Sequence, residues 1–143
     1  MKRSKAKQSR SGGPLRLVIA GGAEAVVAAE QRLITFLNDE GLPEGAAARA
    51  ALLLEEVVLN ALRHGAAPNV EVEAQIGADG ISLVFEDSGV AFDPLAGEVA
   101  APETGAEQPG GRGLLLIRRF STAARYTRSP DGRNRLELRL TPG

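Results

Sequence analysis

Three polar side chains follow one another at intervals of four residues: Glu56, Asn60 and His64. In a helix, which turns by about 100° per residue, they cover an arc of roughly 80° on one face. Carboxylates and imidazoles are the usual groups for proton transfer, and carboxylate and amide oxygens suit hard cations. On spacing alone, however, the pattern is also typical of exposed polar residues on an amphipathic helix.

A second candidate group lies at the end of a predicted strand, where Asp87 is followed two residues later by Gly89. Binding groups concentrate in loops that follow strands, because the strand fixes the start of the loop. Gly89 would allow a flat ligand to approach the backbone closely. The alternative is a structural Asp-Ser-Gly turn in which Asp87 binds its own backbone.

A third group is the glycine-rich segment 110–113, which precedes a helix predicted from Leu114. Free N–H groups at the start of a helix form a cradle for anions, and Arg112 could add a charge-assisted contact to phosphate oxygens. The segment matches neither the P-loop pattern nor GxGxxG, so neither a P-loop nor a dinucleotide fingerprint is present. Without other evidence it could equally be an ordinary entry turn.

The spacing of apolar residues predicts the elements that would position these groups. Alternation predicts strands at 15–19, 70–76 and 81–85 and a hairpin at 123–128 and 135–140. Helical spacing predicts helices at 23–38, 44–64 and 114–120, with the first apolar stripe interrupted by Glu30. The order predicts an α/β (α+β) two-layer sandwich, a mixed, mostly antiparallel sheet with helices on one face.

Composition and charge favour a globular domain over 14–143 that follows a flexible, basic N-terminal tail over 1–13. Outside that tail, acidic residues outnumber basic ones. We therefore expect no direct binding to nucleic acid. No apolar run approaches the roughly 20 residues of a membrane-spanning helix, so we expect no membrane association. The absence of cysteine fits a cytoplasmic location and excludes disulfides.

In their order and spacing, the three groups resemble the nucleotide site of the GHKL (Bergerat-fold) ATPases. The N-box is matched by residues 56–65, the first glycine box by 86–94 and the second by 110–117. The short chain, the Phe-Asp-Pro ending of the first glycine box and the Gly-Gly-x-Gly-Leu sequence are most similar to the stand-alone anti-sigma-factor serine/threonine kinases of bacteria. The resemblance extends from about Leu15 to Leu140.

The resemblance implies that the cofactors are ATP and Mg²⁺. Asn60 would bind Mg²⁺ through its side-chain oxygen. Glu56 would be the catalytic residue that orients or deprotonates the attacking hydroxyl or water. Asp87 would accept a hydrogen bond from the exocyclic amine of adenine, and Gly89 would leave room for the ring.

The remaining implied nucleotide contacts surround the phosphates and a lid at about 94–112. The phosphates would be held by Gly111, Gly113 and the start of the helix at Leu114. Further expected contacts are Arg63, His64, Phe92 and Arg112. His64, which is the sole histidine, is expected to be structural or to touch the lid, rather than to accept a phosphoryl group.

The function that the resemblance implies is an Mg-ATP-dependent serine/threonine protein kinase that acts as an anti-sigma factor in a bacterial partner-switching system. Its partners would be an anti-sigma-factor antagonist of the STAS type and a sigma factor, and pairing as a homodimer is compatible with the resemblance. Two alternatives stay open. One is a nucleotide-responsive binding module that sequesters a partner without phosphotransfer; the other is a stand-alone ATPase domain of a two-component system.

The sequence departs from the family pattern at two places. Asn134 stands where relatives commonly carry a threonine or serine that touches the adenine pocket, so it either substitutes for that residue or the contact is missing. The expected lid is rich in glycine, proline and acidic residues and has no lysine to clamp the γ-phosphate. Both departures bear on the rate of phosphotransfer more than on nucleotide binding.

Overall fold

The computed structural model describes residues 13–96 and 111–142. The described elements are β1 (Leu15–Ile19), α1 (Ala23–Asp39), α2 (Glu44–Arg63), β2 (Val70–Gly77), β3 (Gly80–Asp87), α3 (Gly111–Phe120), β4 (Ala123–Arg128) and β5 (Asn134–Leu140). Their order is the predicted one. Residues 1–12 of the predicted tail and 97–110 of the predicted lid lie outside the described residues.

The five strands form one open sheet in the order β1-β2-β3-β5-β4, and every neighbouring pair among them is antiparallel. The predicted sheet, mostly antiparallel and covered by helices on one face, is therefore confirmed, and the described strands include no parallel pair. Short links explain this arrangement, because β2–β3 and β4–β5 are hairpins and tight links join only antiparallel neighbours.

The strand register places apolar side chains in a row across the covered face of the sheet. Leu17 lies opposite Val72, which lies opposite Phe85, and Phe85 lies opposite Leu136. All four side chains are buried. Because side chains alternate between the faces of a strand, this register sends the neighbouring charged residues to the uncovered face.

The face of the sheet that no helix covers carries ion pairs, both between adjacent strands and within one strand. Arg135 on β5 contacts both Glu86 on β3 and Glu137 on its own strand. Hydrogen bonds to Glu137 and Glu86 raise the pKa of Arg135. Arg16 on β1 pairs with Glu73 on β2 at 3.5 Å. These contacts are exposed to solvent, so we expect each to contribute little to stability.

Helix α2 carries the polar residues Glu56 and Asn60 on one side and a buried apolar stripe on the other. The buried members of that stripe are Ala47, Ala51, Leu54, Val58 and Ala61. The helix ends at a turn in which Ala67 N donates a hydrogen bond to Ala61 O at 3.1 Å. Within this turn Ala66 adopts a left-handed backbone conformation, with φ of 52°.

Glu30 interrupts the apolar stripe of α1, as the sequence indicated. Burial raises the pKa of Glu30 to about 7, and the charge and hydrogen bonding of Glu55 on α2 add to this shift. Its Oε2 atom is buried and accepts no hydrogen bond from any residue that the structure describes. The contact between α1 and α2 therefore contains a carboxyl group that favours its neutral form near neutral pH.

Candidate functional site

A cleft with apolar walls lies between α2 and the ends of β3 and β5. It has about 430 Å³ of unfilled space, including the part that opens to solvent. Its apolar lining comes from Val57, Ala61, Val70, Phe85, Phe92, Pro94 and Leu136, and its polar lining from Asn60, Asp87, Tyr126 and Asn134. A concave apolar site with a few convergent polar groups is the usual form of a small-molecule site.

Strand register brings the polar groups at one end of the cleft together. The β3–β5 register places Asn134 opposite Asp87, and the β4–β5 register places Arg128 opposite Asn134. Asp87 is 8% exposed and Asn134 is 6% exposed. Buried polar groups need hydrogen-bond partners, and these residues are partners for one another.

The Asp87 carboxylate is held through only one of its two oxygens. Its Oδ1 accepts hydrogen bonds from the backbone N–H of Gly89 at 2.8 Å and from Asn134 Nδ2 at 3.0 Å. Within the described residues, Oδ2 accepts no hydrogen bond. A fixed carboxylate in an apolar cleft, with one oxygen available, is suited to accept a hydrogen bond from a flat ligand that carries an amine.

Asn134 is the centre of this polar group. Its Nδ2 also donates to Val90 O at 2.9 Å, while its Oδ1 accepts hydrogen bonds from Tyr126 Oη at 2.5 Å and Arg128 Nη1 at 3.1 Å. Acceptors on one side and donors on the other determine which end of the amide is the oxygen. Arg128 Nη1 also donates to Gly89 O at 2.9 Å, which ties β4 to the loop after β3.

Sequence reasoning missed Tyr126 and Arg128. It noted Asn134 as a possible substitute for the family's usual residue, and the structure places Asn134 against Asp87 at the base of the cleft. The available signal was strand alternation, since residues 126 and 128 lie on the same side of β4, the side that faces the cleft. Reading it required the register of the β4–β5 hairpin, which the sequence alone did not fix.

Gly89 lies where the loop after β3 meets the loop after α2. A Cβ atom on Gly89 would be 2.3 Å from Gly65 O and 3.1 Å from Ala67 Cα. Val90 N also donates a hydrogen bond to Gly65 O at 2.8 Å. Close backbone packing therefore requires glycine at this position, in addition to any need for space beside a ligand.

At the other end of the cleft, the polar face of α2 meets the start of α3. A Cβ atom on Gly113 would lie 3.0 Å from Asn60 Nδ2, so the first turn of α3 touches the Asn60 side chain. Arg112 Nε lies 3.3 Å from Oε2 of Glu56, whose side chain is 14% exposed. A carboxylate, an amide and a helix N-terminus thus converge at one place.

Helix α3 begins at Gly111, three residues before the start that the sequence predicted. The glycines obscured this first turn, because glycine has a low helix propensity. The first N–H groups of a helix have no partner within it. Among the described residues of α3 they belong to residues 111–113. Together with the helix dipole they favour a bound anion.

Of the predicted site residues, only Asn60, Asp87 and Phe92 line the cleft within the described part of the chain. Others are absent from its lining, namely Glu56, Gly89, Arg112 and Gly113. Arg63 is exposed on the last turn of α2 and is absent from the cleft lining. His64 is exposed and its ring centroid lies 6.4 Å from that of Phe92, with the two planes tilted by 34°. Leu114 is 2% exposed, so its side chain is not available to a ligand.

The described residues contain no group of three or more His, Cys, Asp or Glu side chains able to hold a metal ion. A cation beside Asn60 would therefore depend mainly on oxygens from a ligand and on water. Mg²⁺ accepts such an arrangement, because it retains several waters and takes few protein ligands beside phosphate oxygens. No helix in the described part of the chain is long and apolar enough to cross a membrane.

Comparison with solved structures gives the same fold. The RsbU and RsbW domains of Rv1364c from Mycobacterium tuberculosis match with a TM-score of 0.64 and 20% identity, over 91% of this chain and 33% of that chain. The SiaB–SiaC complex from Pseudomonas aeruginosa matches with a TM-score of 0.61 and 19% identity, over 98% of each chain. This chain thus spans about a third of the Rv1364c chain and nearly all of the Pseudomonas one.

Comparison with curated proteins gives no match. The family model of the histidine kinase-like ATPase domain matches residues 19–140, which include α2, the cleft and the start of α3. Domains of this family bind ATP, which fits a cleft with a carboxylate at one end and a helix N-terminus at the other. The chain therefore belongs to the histidine kinase-like ATPase domain family, the GHKL or Bergerat-fold ATPases.

Proposed function

We propose that this chain is an Mg-ATP-dependent serine/threonine protein kinase that acts as an anti-sigma factor in a partner-switching system. The observation that carries the proposal is the position of Glu56. Its carboxylate is mostly buried and lies one turn before Asn60, beside the first turn of α3. A base at the phosphate end of an ATP site is the group that a kinase needs beyond what nucleotide binding requires.

The adenine ring would lie between the apolar walls of the cleft. Its exocyclic amine would donate a hydrogen bond to Oδ2 of Asp87, while Asn134 and the Gly89 N–H hold Oδ1. Guanine presents a carbonyl oxygen at the corresponding ring position, and that oxygen would face the carboxylate without a proton between them. The cleft is therefore expected to prefer ATP to GTP.

The triphosphate would extend from this end of the cleft toward the start of α3. The free N–H groups of residues 111–113 would hold phosphate oxygens. Asn60 would contribute its side-chain oxygen to a Mg²⁺ ion that is otherwise bound by phosphate and water.

Glu56 would accept the proton of the attacking hydroxyl. The serine or threonine oxygen of the partner forms a bond to the γ-phosphorus, the bond from that phosphorus to the β,γ-bridging oxygen breaks, and ADP leaves. Such a base contributes about 10²- to 10⁴-fold to a rate. The protein otherwise supplies positioning and charge stabilisation, which are the main requirements of phosphoryl transfer.

The proposed acceptor is a small anti-sigma-factor antagonist of the STAS type, and the proposed sequestered partner is a sigma factor in the cytoplasm. Support for a protein partner comes from the SiaB–SiaC structure, which is a complex whose fold matches this chain over its full length. The unphosphorylated antagonist would release the sigma factor by capturing the kinase. A homodimer is compatible with this scheme.

The test is transfer of label from ATP radiolabelled on its γ-phosphate to a candidate antagonist in the presence of Mg²⁺. We expect label on a serine or threonine of the antagonist with the wild-type chain and its loss in Glu56→Gln, which keeps the size of the side chain but not the base. If the antagonist binds and no label is transferred, the chain is instead a nucleotide-responsive binding module. A matched control is Glu55→Gln, which alters the adjacent carboxylate.

A further inference from the structure

The ion pair between Arg112 and Glu56 uses only part of the guanidinium group. Nε of Arg112 lies 3.3 Å from Oε2 of Glu56, and the Arg112 side chain is 71% exposed. Within the described residues, Nη1 and Nη2 of Arg112 make no hydrogen bond and no ion pair. A guanidinium is a planar fork with five donors in fixed directions, so the Nη donors are available while Nε contacts Glu56.

Arg112 lies on the helical turn that meets the polar face of α2. Arg112 is the second residue of α3, and its neighbour Gly113 touches the Asn60 amide. The free N–H groups of the same helical turn would hold phosphate oxygens. The guanidinium that contacts the candidate base therefore belongs to the helical turn that would hold the phosphates.

We propose that Arg112 is a positioning residue that bridges Glu56 and the terminal phosphate of ATP, with Nε on the carboxylate and Nη donors on the phosphate. This inference rests on the proposed function. The bridge fixes the distance between the base and the phosphoryl group, so that a hydroxyl bound to Glu56 faces the phosphorus. Lysine cannot replace arginine here, because one ammonium does not provide two separated donors in one plane.

The first experiment measures the binding of Mg·AMP-PNP and Mg·ADP by calorimetry in the wild type, Arg112→Gln, Glu56→Gln and the double variant. Arg112→Gln should weaken AMP-PNP by about 3- to 10-fold, as expected for one charge-assisted contact that is partly exposed. Affinity for ADP, which lacks the terminal phosphate, should be unchanged. The loss of AMP-PNP affinity that Arg112→Gln causes should be at least as large in the wild-type background as in the E56Q background.

Three results would overturn the bridge. A larger loss in the E56Q background would mean that Arg112 must leave Glu56 to reach the phosphate. Equal losses of affinity for AMP-PNP and ADP would mean that the guanidinium contacts an inner phosphate. No loss of affinity for either nucleotide would mean that Arg112 does not contact the nucleotide. Arg118→Gln is the matched control, because it removes an exposed arginine from the same helix, and thermal unfolding checks that each variant is folded.

The second experiment compares kcat and KM in Arg112→Lys, which keeps the charge. KM for ATP should stay close to the wild-type value, while kcat should fall about 10-fold because the base is no longer fixed. A wild-type kcat in R112K would contradict the inference. If the wild-type chain neither binds ATP nor transfers its phosphoryl group, the proposed function fails. If the wild type does both and the Arg112 variants behave as the wild type does, only the bridge fails.

Discussion

Replacing Gly113 by alanine should reduce phosphotransfer while it leaves the stability of the fold nearly unchanged. The added Cβ would lie 3.0 Å from Asn60 Nδ2. Ordinary contact begins at about 3.4 Å, because closer carbon–nitrogen approaches are repulsive. The Asn60 amide must therefore move by a few tenths of an ångström, which shifts the proposed Mg²⁺ ligand while the backbone stays in place.

Two terms of similar size act on the stability of Gly113→Ala. Alanine in place of glycine within a helix contributes up to about 1 kcal/mol. Forcing the Asn60 side chain away from its preferred rotamer costs about 0.5–1.5 kcal/mol. The free energy of unfolding should therefore change by less than about 1 kcal/mol in either direction. Phosphotransfer should fall by up to about 10-fold, because a misplacement of about 1 Å can cost about 100-fold and the Asn60 amide moves by less than that.

The assay combines chemical unfolding of the Gly113→Ala variant with its rate of phosphotransfer and its affinity for Mg·AMP-PNP. Gly45→Ala is the matched control, because it also adds a methyl group near the start of a helix. Its Cβ would lie 3.3 Å from Nη1 of Arg49, the end of a flexible side chain that can move away. The reasoning is refuted if G113A is as active as G45A while both are folded.

Three other predictions concern the fold and the adenine end. Burial raises the pKa of Glu30 from 4.5 to about 7. The contribution of protonated Glu30 to stability is therefore present below about pH 4.5 and is lost as the pH rises through about 7. In thermal melts, Glu30→Gln should flatten this fall in stability and should stabilise the protein by about 1 kcal/mol at about pH 8. Gly89→Ala should lower the free energy of urea unfolding by about 1–3 kcal/mol, because its Cβ would lie 2.3 Å from Gly65 O. Asn134→Ala should weaken ATP binding by about 10-fold in calorimetry, since it removes the amide that fixes Asp87.

Each of these predictions has an outcome that contradicts it. A melting temperature of E30Q with the same pH dependence as the wild type would mean that Glu30 does not hold the buried proton. Wild-type stability of G89A would mean that the two loops separate at little cost. Unchanged ATP affinity in folded N134A would show that Asp87 keeps its position without the amide.

Much of the fold was predictable because its patterns are local. Helix α2 has alanine, leucine and valine at helical spacing, and the hairpin of β2 and β3 has strict alternation around a short turn. Each of these patterns fixes an element and its buried side independently of the rest of the chain. The three motifs of the site were visible for the same reason, since each of them lies within a single segment.

The parts that sequence reasoning missed depend on contacts between segments. Tyr126 and Arg128 reach the cleft only because the β4–β5 register places them beside Asn134. The contact between Glu30 and Glu55 depends on how two helices pack. The close approach of Gly89 to Gly65 likewise joins two loops that are separated in sequence, and no local pattern indicates it.

The most direct test of the account is a calorimetric titration of the folded chain with ATP and with GTP, in the wild type and in Asp87→Asn. The account predicts that the wild type binds ATP more tightly than GTP, and that Asp87→Asn loses most of this preference while it stays folded. It is contradicted if the folded wild type takes up no ATP, or if D87N distinguishes the two nucleotides as well as the wild type does.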